Sequence, residues 1–206
     1  MLTPMAEPET RTERKERTRR ALLEGTLTLA AERGFAGLSL REIARSAGIV
    51  PTAFYRHFAS LDDLGAALVD EGVTALRLAL RQVRREPDAR LSQSVRFVFE
   101  RVEAQRALFG FLTRERHGGA AGLRRAIAVQ LRLIGRELVT DLSRMPALDA
   151  WEPAELEIAA DLIVTTVADG IAGYVAAEER ERTALVERTA AQVRLIALGM
   201  GAWTPR

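Results

Sequence analysis

At 206 residues and 22.7 kDa the chain is long enough for one compact unit, and folding at that size buries roughly 70% of the extended chain's surface, so the core needs no staples. It has no cysteine and only two histidines, which excludes disulfides, thiolate metal sites, cysteine nucleophiles and any histidine-rich metal centre. The formal net charge of +2 is unevenly spread: residues 1–60 carry 10 Lys/Arg against 7 Asp/Glu and the rest 20 against 21, so any polyanion partner needs a local footprint rather than a global field.

Helical periodicity runs through nearly every segment, and the prolines fall at element ends, which predicts an all-α fold. Residues 1–11 read as the start of a disordered basic arm. The stretch 11–20, with six basic and two acidic residues, is either a solvated tail or a contact to a DNA backbone or minor groove. A first helix is expected over 12–33, burying Leu23, Leu27, Ala30 and Ala31, with Gly34 closing it. Ser39 followed three residues later by Glu42 has the spacing of a capping box and starts a short helix over 40–47. Gly48 supplies a sharp turn, and Pro51 opens another helix reaching to 58.

Ser60 caps a long helix over 61–85 with Leu64, Leu68, Val73, Leu76 and Leu80 on one face. Its exit is expected over 84–90 around Pro87. Further helices are expected over 91–105, 106–114, 120–144, 153–177 and 182–200, with breaks at Gly118 and Gly119, at 145–152 and at 178–182. The longest apolar tract, 158–177, contains Asp161 and Asp169, each costing about 2.5–3.5 kcal/mol at a membrane centre, and residues 1–20 hold no apolar targeting stretch. A cytoplasmic protein without membrane contact is the expectation.

The window 40–58 holds two short helices across a glycine turn. Phe54 and Phe58, four apart, point inward, and Thr52, Tyr55 and Arg56 are left outside, where a major-groove reader needs polar groups. Tyr55-Arg56-His57-Phe58 resembles the end of the recognition helix in the TetR family of transcriptional repressors, and the motif's N-terminal position and the all-helical remainder agree. The resemblance implies an N-terminal helix-turn-helix domain over 12–60 and a ligand-binding and dimerisation domain over 61–206. It also implies a homodimer on a palindromic operator of double-stranded DNA. Thr52 and Arg56 are then the base-edge readers and Tyr55 and His57 the phosphate contacts, with Ser39, Arg41, Pro51 and Ala53 completing the DNA-facing set. Leu61 stands where many family members have a phosphate-binding lysine.

That leucine, together with Leu112-Thr-Arg-Glu-Arg116 and the closing 192–199, resembles the branch containing the fatty-acid-biosynthesis repressors FabR and DesT. The implied effector is a long-chain acyl-coenzyme A or acyl-carrier-protein thioester. On that reading Phe97, Phe99, Phe109 and Phe111, with Ile127, Leu131, Val167 and Tyr174, line an acyl pocket, against the plainer alternative of core packing. Arg114 and Arg116 meet an anionic head group there. His117 beside them is a surface residue at a helix end, and Asp161, Thr165 and Asp169 form a solvent-facing strip.

Ile163, Val167, Ile171 and Tyr174, with Val193, Ile196, Ala197 and Met200, are expected to build a two-fold helix bundle, with Gly170 and Gly173 easing close approach. No cofactor is called for. No nucleophile or metal-site spacing accompanies His57, which sets an enzyme aside. A repressor of an efflux or other metabolic operon, and a helical interaction protein that binds no DNA, are the remaining alternatives.

Overall fold

The computed structural model describes residues 10–84 and 91–203, and among these there are nine α-helices and no strand. In chain order they are α1 (Arg11–Arg33), α2 (Leu40–Ser46), α3 (Pro51–Phe54), α4 (Leu61–Arg84), α5 (Leu91–Ala104), α6 (Arg106–Gly118), α7 (Ala121–Leu142), α8 (Pro153–Ala176) and α9 (Glu179–Ala202). Short 3-10 turns lie at Phe35–Gly37 and Pro146–Leu148. Most of the arm over 1–9 and the exit over 85–90 lie outside the described residues.

The basic stretch 11–20 is helix, not solvated tail. Thr10 accepts from the Glu13 amide at 3.2 Å, and the Glu13 carboxylate accepts from the Thr10 amide at 2.8 Å, so a capping box starts α1 ahead of the basic residues. The buried face of α1 is Leu22, Leu23, Thr26 and Ala30, whereas Ala31 is exposed. The expected stripe missed Thr26 because a threonine reads as polar. Here it donates to the Leu22 carbonyl at 2.7 Å and becomes fully buried.

Three apolar clusters hold the helices together. The first joins Leu22 and Leu23 of α1, Ile43, Phe54 and Phe58 to Leu64, Leu68, Val69 and Val73 of α4, and continues into Leu108, Phe111, Leu123 and Ile127. The second packs Ala75 and Ala79 of α4 against α5, Phe109, Tyr174 and Val193, and the third closes the far end around Leu142, Leu156 and Met200. The helix α4 therefore serves two cores along its length, one at each end. Its start agrees with the sequence, since Ser60 accepts from the Asp63 amide at 3.1 Å and Asp63 accepts from the Ala59 amide at 3.0 Å. Close packing on α4 depends on Gly72, where a Cβ would lie 2.2 Å from Leu112 Cδ1.

The helix α6 runs four residues beyond its expected end at Arg114, because the charged residues of its last turn have internal partners instead of solvent. The two C-terminal helices also pack differently from expectation. Ile171, Tyr174, Val193 and Met200 are buried within the chain, and Ile163, Val167 and Ile196 are partly buried against it. Gly170 serves that same intrachain contact, since a Cβ there would meet Thr189 Oγ1 at 2.4 Å. The uncovered apolar face consists instead of Ile158 and Leu162 on α8 and Leu195 and Leu198 on α9, each more than half exposed. The helix α8 is long and apolar enough to cross a membrane, yet Asp161 and Asp169 lie exposed on it, as expected, and so does Thr165.

Candidate functional site

The N-terminal unit is built around the turn between α2 and α3. Ser39 and Glu42 form the expected capping box, with the Glu42 carboxylate accepting from the Ser39 amide at 3.0 Å and its hydroxyl at 2.7 Å. At the other end of α2, Gly48 has φ of 68°, its amide donates to the Arg45 carbonyl at 3.0 Å, and the Ile49 amide donates to the Ala44 carbonyl at 3.0 Å. That pair of bonds is a Schellman motif, which a left-handed glycine permits. Ala44 is fully buried, and α1 approaches α2 so closely that a Cβ on Gly25 would sit 2.1 Å from Ser46 Oγ.

Pro51 begins α3, but α-helical geometry lasts only to Phe54. The amides of Arg56 and His57 then donate to the Ala53 and Phe54 carbonyls in 3-10-like turns, before the Phe58 amide returns to the Phe54 carbonyl in an α-type bond. Phe54 and Phe58 are buried, with ring centroids 5.8 Å apart. Arg41, Pro51, Thr52, Tyr55 and Arg56 are exposed, Ala53 and His57 are half-buried, and Ser39 is exposed with its hydroxyl committed to the cap. Val50, exposed at the very start of α3, belongs to the same outer face, and a search for polar readers passes over it.

The basic residues of α1 return to this face. The Arg19 guanidinium lies 4.8 Å from the Phe58 ring centroid, a cation–π contact. His57 is held below its ordinary value of 6.5 by burial first and then by the positive charges of Lys15, Arg19 and Arg56, so its ring is neutral at pH 7. Its Nδ1 is buried without a partner among the described residues. Lys15, Arg19 and Arg56 thus act electrostatically on one histidine, partly offset by the acidic Glu16. Leu61 is half-buried and packs on the first cluster, where it makes no polar contact.

A second site lies between α4, α6, α7 and α8. A cavity of about 60 Å³ is walled by Val69, Val73, Leu76, Phe109, Leu112, Thr113, Arg116, Ile127, Gln130, Leu131, Ile134, Ala168 and Ile171. Of the ten residues expected to line an effector pocket, Phe109, Arg116, Ile127 and Leu131 are on this wall. Five others are not. Phe99 meets Tyr174 edge-to-face at 5.1 Å in the second cluster, Phe111 meets Phe35 edge-on at 5.8 Å in the first, Val167 packs on the second, and Phe97 is half-buried away from the wall. Tyr174 is further engaged by Glu103 and by Arg182, whose guanidinium lies 5.9 Å from its ring.

Arg114 also turns away from the cavity. Its guanidinium donates to the Ala30 and Ala31 carbonyls at 2.6 and 2.7 Å, capping the C-terminus of α1. Next to it Glu115, only 1% exposed, accepts from the Phe35 amide at 3.2 Å and from the Ala120 amide at 3.3 Å. Arg116 faces the cavity and pairs with Asp169 at 3.1 Å. One helical turn, 113–116, thus presents Thr113 and Arg116 to the cavity and Arg114 and Glu115 to the N-terminal unit. His117 is exposed and within 3.0 Å of the Thr113 carbonyl through Nδ1. No cluster of three His, Asp or Glu suited to a metal ion occurs among the described residues.

Residues 22–68 match the sequence pattern described as bacterial regulatory proteins, tetR family, and residues 87–200, more than half the chain, match that of the tetracyclin repressor-like C-terminal domain. Among solved structures the fold is similar to that of a protein assigned to the TetR family of transcriptional regulators from Syntrophomonas wolfei, with a TM-score of 0.77 and 16% identity over 90% of this chain and 97% of that one. It is similar also to the transcriptional regulator FadR from Bacillus subtilis in complex with stearoyl-CoA, with a TM-score of 0.67 and 15% identity over 87% and 98%. The fatty acid degradation regulator FadR from Bacillus halodurans gives 0.65 and 16% over 92% and 97%. At such identities the likeness is one of fold.

Proposed function

The chain belongs to the tetR family of bacterial regulatory proteins, DNA-binding transcriptional regulators and not enzymes, and on that premise we propose that it is a homodimeric repressor whose α3 reads a palindromic operator. Thr52 and Arg56 contact base edges, and Tyr55, His57 and Arg41 contact phosphate. Pro51 and Ala53 shape the approach, and Ser39 holds the cap. The carrying observation is the exposed face of Thr52, Tyr55 and Arg56 over a fully buried Phe54, with Arg19 of α1 reaching back over the Phe58 ring. In this division residues 12–60 are the reading unit and 61–206 sense the effector and dimerise, in the cytoplasm.

The dimer forms through the uncovered apolar face of Ile158, Leu162, Leu195 and Leu198, which also accounts for an α8 as apolar as a membrane helix. Two α3 segments must then stand about 34–36 Å apart to enter successive major grooves. The effector enters the cavity between α4, α6, α7 and α8. Its apolar walls, the sequence likeness to FabR and DesT, and the stearoyl-CoA held by the Bacillus subtilis FadR support a long-chain acyl thioester, and hence control of fatty-acid synthesis genes. A space of about 60 Å³ takes only a few water-sized groups. An acyl chain therefore enters by displacing wall side chains, which couples occupancy to the positions of α4 and α6.

Titration of DNA upstream of the gene with the wild-type chain and with Arg56→Ala, with and without palmitoyl- or oleoyl-coenzyme A, tests both halves. Arg56→Ala is expected to lose operator binding and to remain dimeric. Unchanged operator binding would refute the assignment of α3, and no response to either thioester would refute the acyl reading.

A further inference from the structure

On α7 the residues Leu123, Ile127, Leu131 and Ile134 recur at helical spacing on the side that faces α4 and α6. Gln130 stands within that same stripe, three residues after Ile127 and four before Ile134. It lines the cavity, and its Oε1 is buried and accepts no hydrogen bond among the described residues. The cavity's one charged lining residue, Arg116, is already paired with Asp169 at 3.1 Å. Beside Thr113, the largely apolar wall thus contains a carboxamide whose oxygen is withdrawn from water and left without a partner among the described residues. Folded proteins rarely leave such a group unpaired.

We propose that the cavity selects an amphiphile that sets a hydroxyl or an amide against the Gln130 carboxamide, in preference to a bare hydrocarbon chain. Either group both donates and accepts, so it satisfies the carboxamide in either orientation of its oxygen and nitrogen. A hydroxyl would come from a hydroxylated acyl chain, and an amide from the arm that carries a thioester. Discrimination of this kind is steep because a ligand without the matching group leaves the buried amide unpaired, whereas an apolar wall alone separates such ligands weakly. The proposal rests on the cavity being the effector site and adds which chemistry the effector must carry.

The test uses the full-length chain and three small probes, 1-hexanol, hexanamide and hexane, with palmitoyl-coenzyme A run separately. Binding is followed by calorimetric titration and by the shift in melting temperature, for wild type and for Gln130→Met, a nearly volume-conserving change. Wild type is expected to bind hexanol or hexanamide about tenfold to a hundredfold more tightly than hexane, and Gln130→Met to lose that preference while still binding hexane. A preference for hexanol alone assigns the hydroxyl, and one for hexanamide alone assigns the amide. Equal binding of all three probes, no binding of any, or a preference that survives Gln130→Met overturns the proposal. Palmitoyl-coenzyme A judges the acyl reading independently: if it fails while the Gln130-dependent preference holds, the effector is another amphiphile.

Discussion

Glu115→Gln isolates the contact through which α6 holds the N-terminal unit. The native carboxylate is 1% exposed and uses both oxygens, one accepting from the Phe35 amide at 3.2 Å and the other from the Ala120 amide at 3.3 Å. Glutamine keeps the shape but has one acceptor oxygen, so one of the two amides must face an NH2 group. A buried donor left unpaired costs about 1–3 kcal/mol, and the remaining bond loses its charge assistance. Both native bonds are long, which places the sum near about 2 kcal/mol. For a chain of this size that corresponds to a melting temperature lower by about 4–8 °C, measured at fixed protein concentration because a dimer's stability depends on it. Gly119→Ala should give a related loss, since a Cβ there would lie 1.9 Å from Glu115 Oε2 and 2.6 Å from the Glu115 Cα. Melting of Glu115→Gln within 1 °C of wild type, or an unchanged effector response of its operator binding, would refute the assigned role.

Leu61→Lys restores a cation at the start of α4, and salt-series anisotropy should show tighter non-specific DNA binding with a salt slope steeper by about 0.9. The Ser39 hydroxyl, then the Ser39 amide and then Arg33 hold the Glu42 carboxyl down to about 2 from its ordinary 4.5. Its contribution to stability is therefore complete above pH 4.5 and drains away as pH falls toward 2. Urea midpoints at pH 7, 5, 4 and 3 should fall less steeply for Glu42→Gln than for wild type. Gly72→Ala drives a methyl to within 2.2 Å of Leu112 Cδ1, and Leu112 lines the cavity, so its displacement should lower effector affinity while the melting transition stays cooperative.

Local chemistry was legible because it is written in neighbouring residues. The Ser39–Glu42 box, the positive φ of Gly48, Pro51 at the start of α3 and the Ser60 cap all follow from groups within four residues of one another. The cavity was legible only in part. Phe99, Phe109 and Phe111 are equally apolar, and tertiary packing alone sends one to the second cluster, one to the cavity wall and one against Phe35. Arg114 and Arg116 look interchangeable as anion binders, yet two positions along a helix turn them about 200° apart, one onto the carbonyls of α1 and the other to the cavity. On α8 and α9 apolar side chains occur on more than one face, so spacing alone did not separate Ile171, Tyr174, Val193 and Met200, which pack within the chain, from Ile158, Leu162, Leu195 and Leu198, which stay exposed.

Two routes connect the cavity to the reading face, and they constrain each other. Along α4, Val69 and Val73 line the cavity and also belong to the cluster that contains Phe54 and Phe58. Leu61 lies eight residues before Val69, or roughly 12 Å, so a tilt of about 5° at the cavity moves the start of α4 by about 1 Å. Along α6, an effector held in the cavity as proposed would press on Thr113 and Arg116, in the same turn whose Arg114 and Glu115 hold the end of α1. If α4 alone shifted, the bonds from Ala30, Ala31 and Phe35 to α6 would stretch or break, and each is a charged contact to backbone. The lower-energy response is for α4 and the α6 turn to carry the reading unit as one body, changing the separation of the two α3 segments in the dimer instead of deforming either. Glu115→Gln loosens one route and leaves the other intact. It should therefore weaken the effector's influence on DNA binding more than it weakens binding of either the effector or the DNA alone.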